Sequence, residues 1–588
     1  MCWTEGGFVI AFVLVPGLFT GGGIWRDVAA RLRDAGAEAH PVTFTGTPDA
    51  DLETHVRDVL RVVDGVADGS GPGTELVLVG HGYGIHPVLA AADRRAGLRP
   101  RVVHLDAGVP GDGDLPLALV PDERLRLLLG GAVGGTAPSG GDGVAHAGGD
   151  EGDLRTSAGG YGGAGSADPR PAGAGGAHRR GAGEGGPDAG AGTTGRTAGS
   201  DGGLGGALLA PPPDADGWVR HGSTAGLRAE DLELLTREAV PQPARSLTRP
   251  LRLSGAGHAL PSTGVLCTGN GGSIELLQHL VRLGDPKLQR LTDGRVTFFE
   301  LDTGHWPMLS EPAGLAEVLL RAAAGEGHRL EPADDGPPPH LRPFLLDAPE
   351  PPLPQERKGR VALHLPAADG PRPAVVFVHG GPLPPGVQPS PLDWPAFQGY
   401  GQHVARLGAV AAVVHHGLHG LDAYGAAADD VAAAVESVRT DPRVDGDRVA
   451  LWFFSGGGLL AADWLTAAAP PWLRCVAATY PVLAPLPNWG LSGPRFRPAD
   501  AVRAARGAAP PVVLTRVERE MPEIAVTVAE FLAAAEESGA RVDVVDVPGG
   551  HHGFETTDHS EAARSAVQRA VRGVLRHLGL DGPVSGAS

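Results

Sequence analysis

The segment Arg448–Leu465, RVALWFFSGGGLLAADWL, is the stretch that decides how this chain folds. Val449–Phe453 is an apolar run typical of a buried strand, and the leucines and alanines after Gly458 are typical of a packed helix. A strand that turns sharply into a helix exposes the side chain at the turn, and glycines allow the backbone to bend that tightly. The segment therefore predicts an α/β fold with Ser455 as an exposed nucleophile, although Phe453 replaces the first glycine of the usual G-x-S-x-G pattern.

A glycine pair upstream of this segment predicts backbone donors for an oxyanion. The motif HGGP, which contains Gly380 and Gly381, follows directly on the apolar run Ala374–Val378. Preorganised N–H groups at the end of such a strand stabilise a tetrahedral intermediate, and the residue after the nucleophile, Gly456, supplies a second donor. Because Pro382 has no N–H, we expect the upstream donor to be Gly380 or Gly381.

Residues downstream of the turn predict a base and an acid in the chain order serine, carboxylate, histidine. The stretch VDVVDVPGGHHGFE places His552 in the loop after a strand, with His551 as the alternative base. The candidates for the acid follow the strand PPVVLTR and are Glu518, Glu520 and Glu523. We favour Glu520, because a proline turn follows it, and we keep Glu518 as the second candidate. The predicted catalytic residues are therefore Ser455, Glu520 and His552.

Two regions of biased composition divide the 588-residue chain. Residues 131–210 hold 29 glycines in 80 positions and few large apolar side chains, so we expect a disordered insertion there. Prolines crowd residues 326–354, which we interpret as a linker. We expect an N-terminal block at 1–325, a C-terminal block at 355–580 and a tail at 581–588, since one core of this length is unusual.

Both blocks alternate short Val/Ala/Leu-rich runs with helical stretches, a pattern typical of parallel strands covered by helices on both faces. In the N-terminal block we predict strands at Phe8–Val15, Glu38–Thr43, Leu76–Val79 and Val102–Asp106. In the C-terminal block we predict strands at Val361–Leu365, Ala374–Val378, Val410–His415, Val449–Phe453 and Val512–Leu514. We therefore expect two doubly wound, mostly parallel sheets in tandem.

The composition argues against several classes of partner. A net charge of −19 disfavours binding to nucleic acid or to an anionic membrane. The cysteines Cys2, Cys267 and Cys475 lack the spacing of a zinc site or a disulfide framework, so we expect no metal, no cofactor and a cytoplasmic protein. The run Phe8–Val15 is far shorter than the ~20 residues of a membrane span. The sequence leaves the oligomeric state open.

The C-terminal block resembles one branch of a known superfamily. The stretch DDVAAAVESVRTDPRVDGDRVALWFFSGGG, together with the motifs above, resembles dienelactone hydrolase-like and acyl-peptidase-like members of the α/β-hydrolase superfamily. The resemblance covers most of residues 355–580. It implies that a small-molecule ester, lactone or related acyl compound is hydrolysed through an acyl-enzyme on Ser455.

The N-terminal block resembles another branch of that superfamily, the small-molecule methylesterase and hydroxynitrile-lyase group. The resemblance lies in VPGLFTGGGIW, LVLVGHGYG and LDTGHWPMLSEP. It implies Gly82 at the nucleophile position, His305 as the base and Asn270 where an aspartate would orient that base. On this interpretation nucleophile and acid are both lost, so we expect a pseudo-enzyme that would need Gly82→Ser and Asn270→Asp together to act. A histidine before the turn usually packs inward, which argues against His81 as a substitute.

Two functional hypotheses follow. In the first, the C-terminal block is a serine esterase, and the N-terminal block is a scaffold, cap or ligand sensor. In the second, neither block turns over, and the chain is a small-molecule-binding protein built on hydrolase folds. A fluorophosphonate probe separates the two, because it labels only an activated serine.

Overall fold

The computed structural model describes residues 9–69, 73–133, 209–347, 351–491 and 493–580. The strands of the N-terminal block are β1 Ile10–Val15, β2 Glu38–Pro41, β3 Glu75–His81, β4 Arg101–Leu105, β5 Leu209–Ala210, β6 Gln242–Pro243, β7 Ser262–Cys267 and β8 Val296–Leu301. The strands of the C-terminal block are β9 Gln355–Lys358, β10 Val361–His364, β11 Arg372–Val378, β12 Val410–Val414, β13 Val444–Phe454, β14 Leu473–Thr479, β15 Val512–Arg519 and β16 Val542–His551.

Helices alternate with these strands in both blocks. In the N-terminal block they are α1 Arg26–Asp34, α2 Leu52–Gly69, α3 Ile85–Arg94, α4 Glu123–Val133, α5 Ala229–Arg237, α6 Ala244–Thr248, α7 Ile274–Arg282, α8 Pro286–Gln289, α9 Pro307–Ser310 and α10 Pro312–Ala323. In the C-terminal block they are α11 Pro395–Arg406, α12 Tyr424–Arg439, α13 Pro498–Ala505, α14 Pro522–Ser538, α15 Phe554–Thr557 and α16 Glu561–His577.

The N-terminal block is built on a six-stranded sheet of order β2-β1-β3-β4-β7-β8, in which every neighbouring pair is parallel. Alternate side chains of β1 point to opposite faces, so that Phe12 joins the core under α1 and α10 while Val13 joins the core under α2 and α3. Helices therefore bury both faces, as the apolar runs in the sequence predicted.

The C-terminal block is built on an eight-stranded sheet of order β16-β15-β14-β13-β11-β12-β10-β9. Seven of its strands run in one direction, and β10 runs antiparallel to both of its neighbours, β12 and the edge strand β9. In β11, Val376 faces the core covered by α12, α13 and α14, and Phe377 faces the core covered by α11 and α16. Ser455 follows β13, which lies near the centre of this sheet.

All nine predicted strands are confirmed, with ends shifted by a few residues. The predicted insertion lies almost entirely outside the described residues. The structure corrects its ends, because α4 continues to Val133 and β5 begins at Leu209. The sequence did not predict β5, β6, β7, β8, β9 or β14. The block boundaries stay a prediction.

The proline-rich linker is packed against both blocks. Leu330 is buried with Phe298 in the N-terminal block, and Leu345 is buried in the C-terminal block. The described residues up to 133 and from 207 onward form one compact unit. Within the part of the chain that the structure describes, no helix is both long and apolar enough to cross a membrane.

Candidate active sites

The turn after β13 presents Ser455 as the sequence predicted. Ser455 has φ +49°, in the left-handed region that non-glycine residues seldom adopt, and it opens the short 3₁₀ helix Ser455–Asp463. Nucleophiles commonly occupy a strained strand-to-helix turn of this kind, because the sharp turn exposes their side chain above the sheet. Phe453 is fully buried in the core, so its bulk lies away from the turn.

The structure brings Ser455, His552 and Glu520 together in one hydrogen-bonded chain. The Oγ of Ser455 lies 2.7 Å from Nε2 of His552, and Nδ1 of His552 lies 2.9 Å and 3.0 Å from the two carboxylate oxygens of Glu520. The His552 and Glu520 side chains are 8% and 5% exposed, so little water competes for these bonds. In this arrangement a carboxylate holds one ring nitrogen while the other faces the hydroxyl.

The alternative residues lie elsewhere. Glu518 accepts a hydrogen bond from the backbone N–H of Gly549, at 2.6 Å. Glu523 accepts one from the Ser273 hydroxyl, also at 2.6 Å. His551 is exposed and pairs with Asp558. None of these side chains contacts His552 through a hydrogen bond among the described residues.

The predicted oxyanion donors flank the serine. A methyl carbon on Gly380 would lie 2.9 Å from Cβ of Ser455, and one on Gly456 would meet the carbonyl oxygen of Gly381. The loop and the turn therefore approach each other more closely than side chains would permit. Among the described residues, no acceptor takes the N–H of Gly380 or Gly381. Gly456 lies in the first turn of its helix, where N–H groups have no intrahelical partner.

Two residues that sequence reasoning missed hold this loop in place. Nε2 of His416 lies 2.9 Å from the carbonyl oxygen of His379, and the His416 ring stacks on the His379 ring at 3.8 Å. The Tyr424 hydroxyl donates to the carbonyl oxygen of Gly456 at 2.9 Å. Burial lowers the pKa of His416 to about 4, so its ring is neutral near pH 7. A polar residue just after β12 was the only signal for His416 in the sequence.

The N-terminal block contributes to the surroundings of His552. A cleft of about 1010 Å³ is lined by residues of both blocks, including His552 and helix α7. Across this boundary the Ser273 hydroxyl, at the start of α7, donates to Glu523. The ring of His279 packs against the ring of His552 at 76° with 5.2 Å between centroids. Burial, and secondly the neighbouring His552, lowers the pKa of His279 to about 3, so this ring is uncharged near pH 7.

The second candidate site follows β3 in the N-terminal block, and it corrects one expectation. Gly82, which the resemblance places at the nucleophile position, has φ +49° and carries no side chain. However, Nδ1 of His305 lies 2.6 Å from a carboxylate oxygen of Asp106, the residue after β4. A carboxylate therefore lies beside His305, where the resemblance implied only an asparagine. The sequence had placed Asp106 only as the last residue of a strand.

Asn270 supports this pair instead of replacing its acid. Its amide group donates to Asp106 at 2.7 Å, and its carbonyl oxygen accepts from the backbone N–H of Ser223, also at 2.7 Å. His81 packs inward as predicted, with its ring fully buried and its Nε2 2.7 Å from the carbonyl oxygen of His305. Burial holds the pKa of His81 well below its ordinary value, with the neighbouring His305 as a second cause.

The comparison with curated proteins found an esterase. The chain is 40% identical over 118 residues to a carbendazim hydrolyzing esterase from Nocardioides sp. (strain SG-4G). The match covers 19% of this chain and 47% of the esterase, so the chain spans about half the length of that relative. No family model matches the chain. The chain therefore shares an esterase-like segment with this relative and has a mixed α/β architecture with parallel sheets.

Solved structures of esterases are also similar to parts of the chain. Esterase 2 of Thermogutta terrifontis phosphonylated by sarin aligns at 20% identity and a TM-score of 0.33, covering 40% of this chain and 98% of its own. A thermostable carboxylesterase cloned from a metagenomic library aligns at 21% identity and a TM-score of 0.32, covering 40% of this chain and 92% of its own. A thermostable esterase from Pseudomonas putida ECU1011 aligns at 19% identity and a TM-score of 0.31, covering 38% and 82%.

Proposed function

We propose that this protein is a serine hydrolase that cleaves a small-molecule ester, lactone or related acyl bond in its C-terminal block. The observation that carries the proposal is the unbroken chain of hydrogen bonds from Ser455 through His552 to Glu520. Similarity to a curated esterase supports the same reaction class.

In the proposed mechanism Ser455 attacks the acyl carbon while Nε2 of His552 takes the hydroxyl proton. Glu520 keeps the Nδ1 proton in place and stabilises the imidazolium that forms. The N–H groups of Gly456 and of Gly380 or Gly381 stabilise the oxyanion. His552 then protonates the leaving group, and a water molecule releases the acid from Ser455 by the same steps in reverse order.

We propose further that the N-terminal block acts as a cap on this site and forms no acyl-enzyme itself. Gly82 carries no hydroxyl, whereas α7 places His279 against His552. Glu275, Arg282 and Glu523 place charged groups along the shared cleft, beside apolar side chains such as Met521 and Val526. A substrate reaching His552 through this cleft would therefore meet both blocks.

A fluorophosphonate probe on the full chain tests the proposal. We expect wild type to be labelled and Ser455→Ala to be unlabelled, because the probe reacts only with an activated serine. Hydrolysis of p-nitrophenyl esters should fall by roughly 10⁴-fold or more in Ser455→Ala, since the nucleophile acts only in the transition state. Ser437→Ala, an exposed serine on α12, is the matched control and should behave as wild type. Unlabelled wild type would favour a binding protein instead.

A further inference from the structure

The N-terminal block contains a complete acid–base pair without a nucleophile. Nδ1 of His305 is held by Asp106, and Asp106 is oriented in turn by Asn270 and by the backbone N–H of Cys267 at 3.3 Å. The Asp106 carboxylate is 8% exposed and the His305 side chain 14%. A buried carboxylate on Nδ1 keeps the proton on that nitrogen, which leaves Nε2 as a proton acceptor.

The Nε2 atom of His305 faces the position from which the nucleophile's side chain is missing. A methyl carbon on Gly82 would lie 3.3 Å from Nε2, and among the described residues only ring atoms of His305 come within 4 Å of it. No described residue forms a hydrogen bond with Nε2. Gly82 and His305 are both partly exposed. A small molecule beside Gly82 would therefore meet an unoccupied base.

The backbone around Gly82 also has the arrangement of an oxyanion site. Tyr83 lies in the first turn of the 3₁₀ helix Gly82–Gly84, so its N–H has no partner within the helix. A methyl carbon on Gly84 would lie 2.5 Å from the carbonyl oxygen of Pro16, so the turn packs directly against the loop after β1. The same close approach joins the serine turn to its loop in the C-terminal block, where Gly457 would meet the His379 carbonyl oxygen at 2.5 Å.

We propose that His305 and Asp106 form a second catalytic site, which hydrolyses activated acyl esters by direct attack of water. His305 takes a proton from the water as its oxygen bonds to the acyl carbon and the carbonyl electrons move onto oxygen. The tetrahedral intermediate then collapses, the bond to the leaving oxygen breaks, and the imidazolium returns the proton to that oxygen. Ester and water become acid and alcohol, and no bond to the protein forms. Leaving groups of low basicity, such as phenolates, suit this site because water is the only nucleophile.

The test uses the full chain with Ser455→Ala, so that the first site is silent. We expect this variant to hydrolyse p-nitrophenyl acetate above the buffer rate and to resist fluorophosphonate. Adding His305→Ala should lower the remaining rate by about a hundredfold, because general acid–base catalysis contributes roughly 10²–10⁴. Adding Asp106→Asn should cause a similar loss. His258→Ala, an exposed histidine of the same block, is the matched control and should leave the rate unchanged.

Three outcomes would overturn the inference: no rate above buffer in Ser455→Ala, an equal rate after His305→Ala, or an acyl adduct on the Ser455→Ala chain by intact mass spectrometry. Melting temperatures within a few degrees of each other show that the variants are folded, so that a lost rate is chemical. Wild type and Ser455→Ala could also hydrolyse the ester at equal rates, and His305→Ala could abolish the rate of both. That result would reject the function proposed for Ser455 and leave this inference standing.

Discussion

The turns at Gly82 and Ser455 share their backbone geometry at the apex but differ in the side chain that stands there. Each follows a strand near the centre of its sheet, and each has φ +49°. Two residues later, a methyl carbon on Gly84 or on Gly457 would lie 2.5 Å from a backbone carbonyl oxygen of the facing loop. The strained turn therefore persists where no nucleophile uses it. The comparison suggests that packing against the loop maintains this geometry, and that the residue at its apex decides whether an acyl-enzyme can form.

The two sites also differ in the strand that supplies the acid. Glu520 follows β15, two strands away from the serine strand, and the position equivalent to it in the N-terminal block is Asn270, which follows β7. Asp106 follows β4, directly beside the turn strand, where the C-terminal block has Tyr480. Nδ1 of a histidine above the sheet can thus be reached from either strand. A missing acid at one strand end does not mean that the site lacks an acid.

The largest expected effect distinguishes the two glutamates of the C-terminal site. Glu520→Gln should reduce kcat for ester hydrolysis by about 10³–10⁴-fold, because a neutral amide cannot stabilise the imidazolium of His552. Glu518→Gln is the matched control and should stay close to wild type, since among the described residues Glu518 bonds only to the backbone of Gly549. Steady-state kinetics with p-nitrophenyl esters measure both. A larger loss in Glu518→Gln than in Glu520→Gln would reverse the assignment.

The next effect is a gain at the N-terminal turn. In the Ser455→Ala background, Gly82→Ser should create fluorophosphonate labelling and raise ester hydrolysis by about a hundredfold, because Asp106 already holds His305. Adding Asn270→Asp should lower this gain, since it places a second carboxylate beside Asp106 and removes a donor to it. Labelling of the new serine and the two rates are the measurements. If activity appears only with both substitutions, Asp106 is not the acid of this site.

Local patterns made most of the fold and of the C-terminal site predictable. Most of the predicted strands contain apolar runs, and Ser455, Glu520 and His552 each stand just after a strand, where parallel strands end. Asp106 stands in the same kind of position but was missed, because a resemblance assigned the acid to a different strand. The contacts of α7 with the C-terminal site could not be predicted. Ser273 and Glu523 are 250 residues apart, and nothing local to either indicates the other.

A smaller effect is expected from the ring that the N-terminal block places against His552. His279→Ala should lower kcat/KM by about three- to tenfold, because an edge-to-face pair of this kind contributes roughly 0.5–1.5 kcal/mol and limits the rotation of the base. His279→Phe keeps an aromatic ring there and should restore most of the rate. The pH at half-maximal activity should change little, since His279 is neutral throughout the working range. An alanine variant as active as wild type would show that α7 does not position His552.

The residue three positions after each histidine also differs between the two blocks, and in the C-terminal block it makes the stability of the folded chain depend on pH. The C-terminal block has Glu555 there, fully buried beside Tyr400 and 3.1 Å from its hydroxyl, whereas the N-terminal block has the apolar Met308. Burial raises the pKa of Glu555 from 4.5 to about 7. The folded state therefore keeps this proton up to a higher pH than the unfolded state does. The contribution to stability is fully present below pH 4.5 and is lost as pH rises to about 7, by about 3 kcal/mol at 1.36 kcal/mol per pH unit.

Glu555→Gln cannot ionise, so its denaturant midpoint should change less than that of wild type between pH 5 and pH 8. The exposed Glu530→Gln is the control and should follow wild type. Identical pH profiles for wild type and Glu555→Gln would mean that this carboxyl ionises normally in the folded chain.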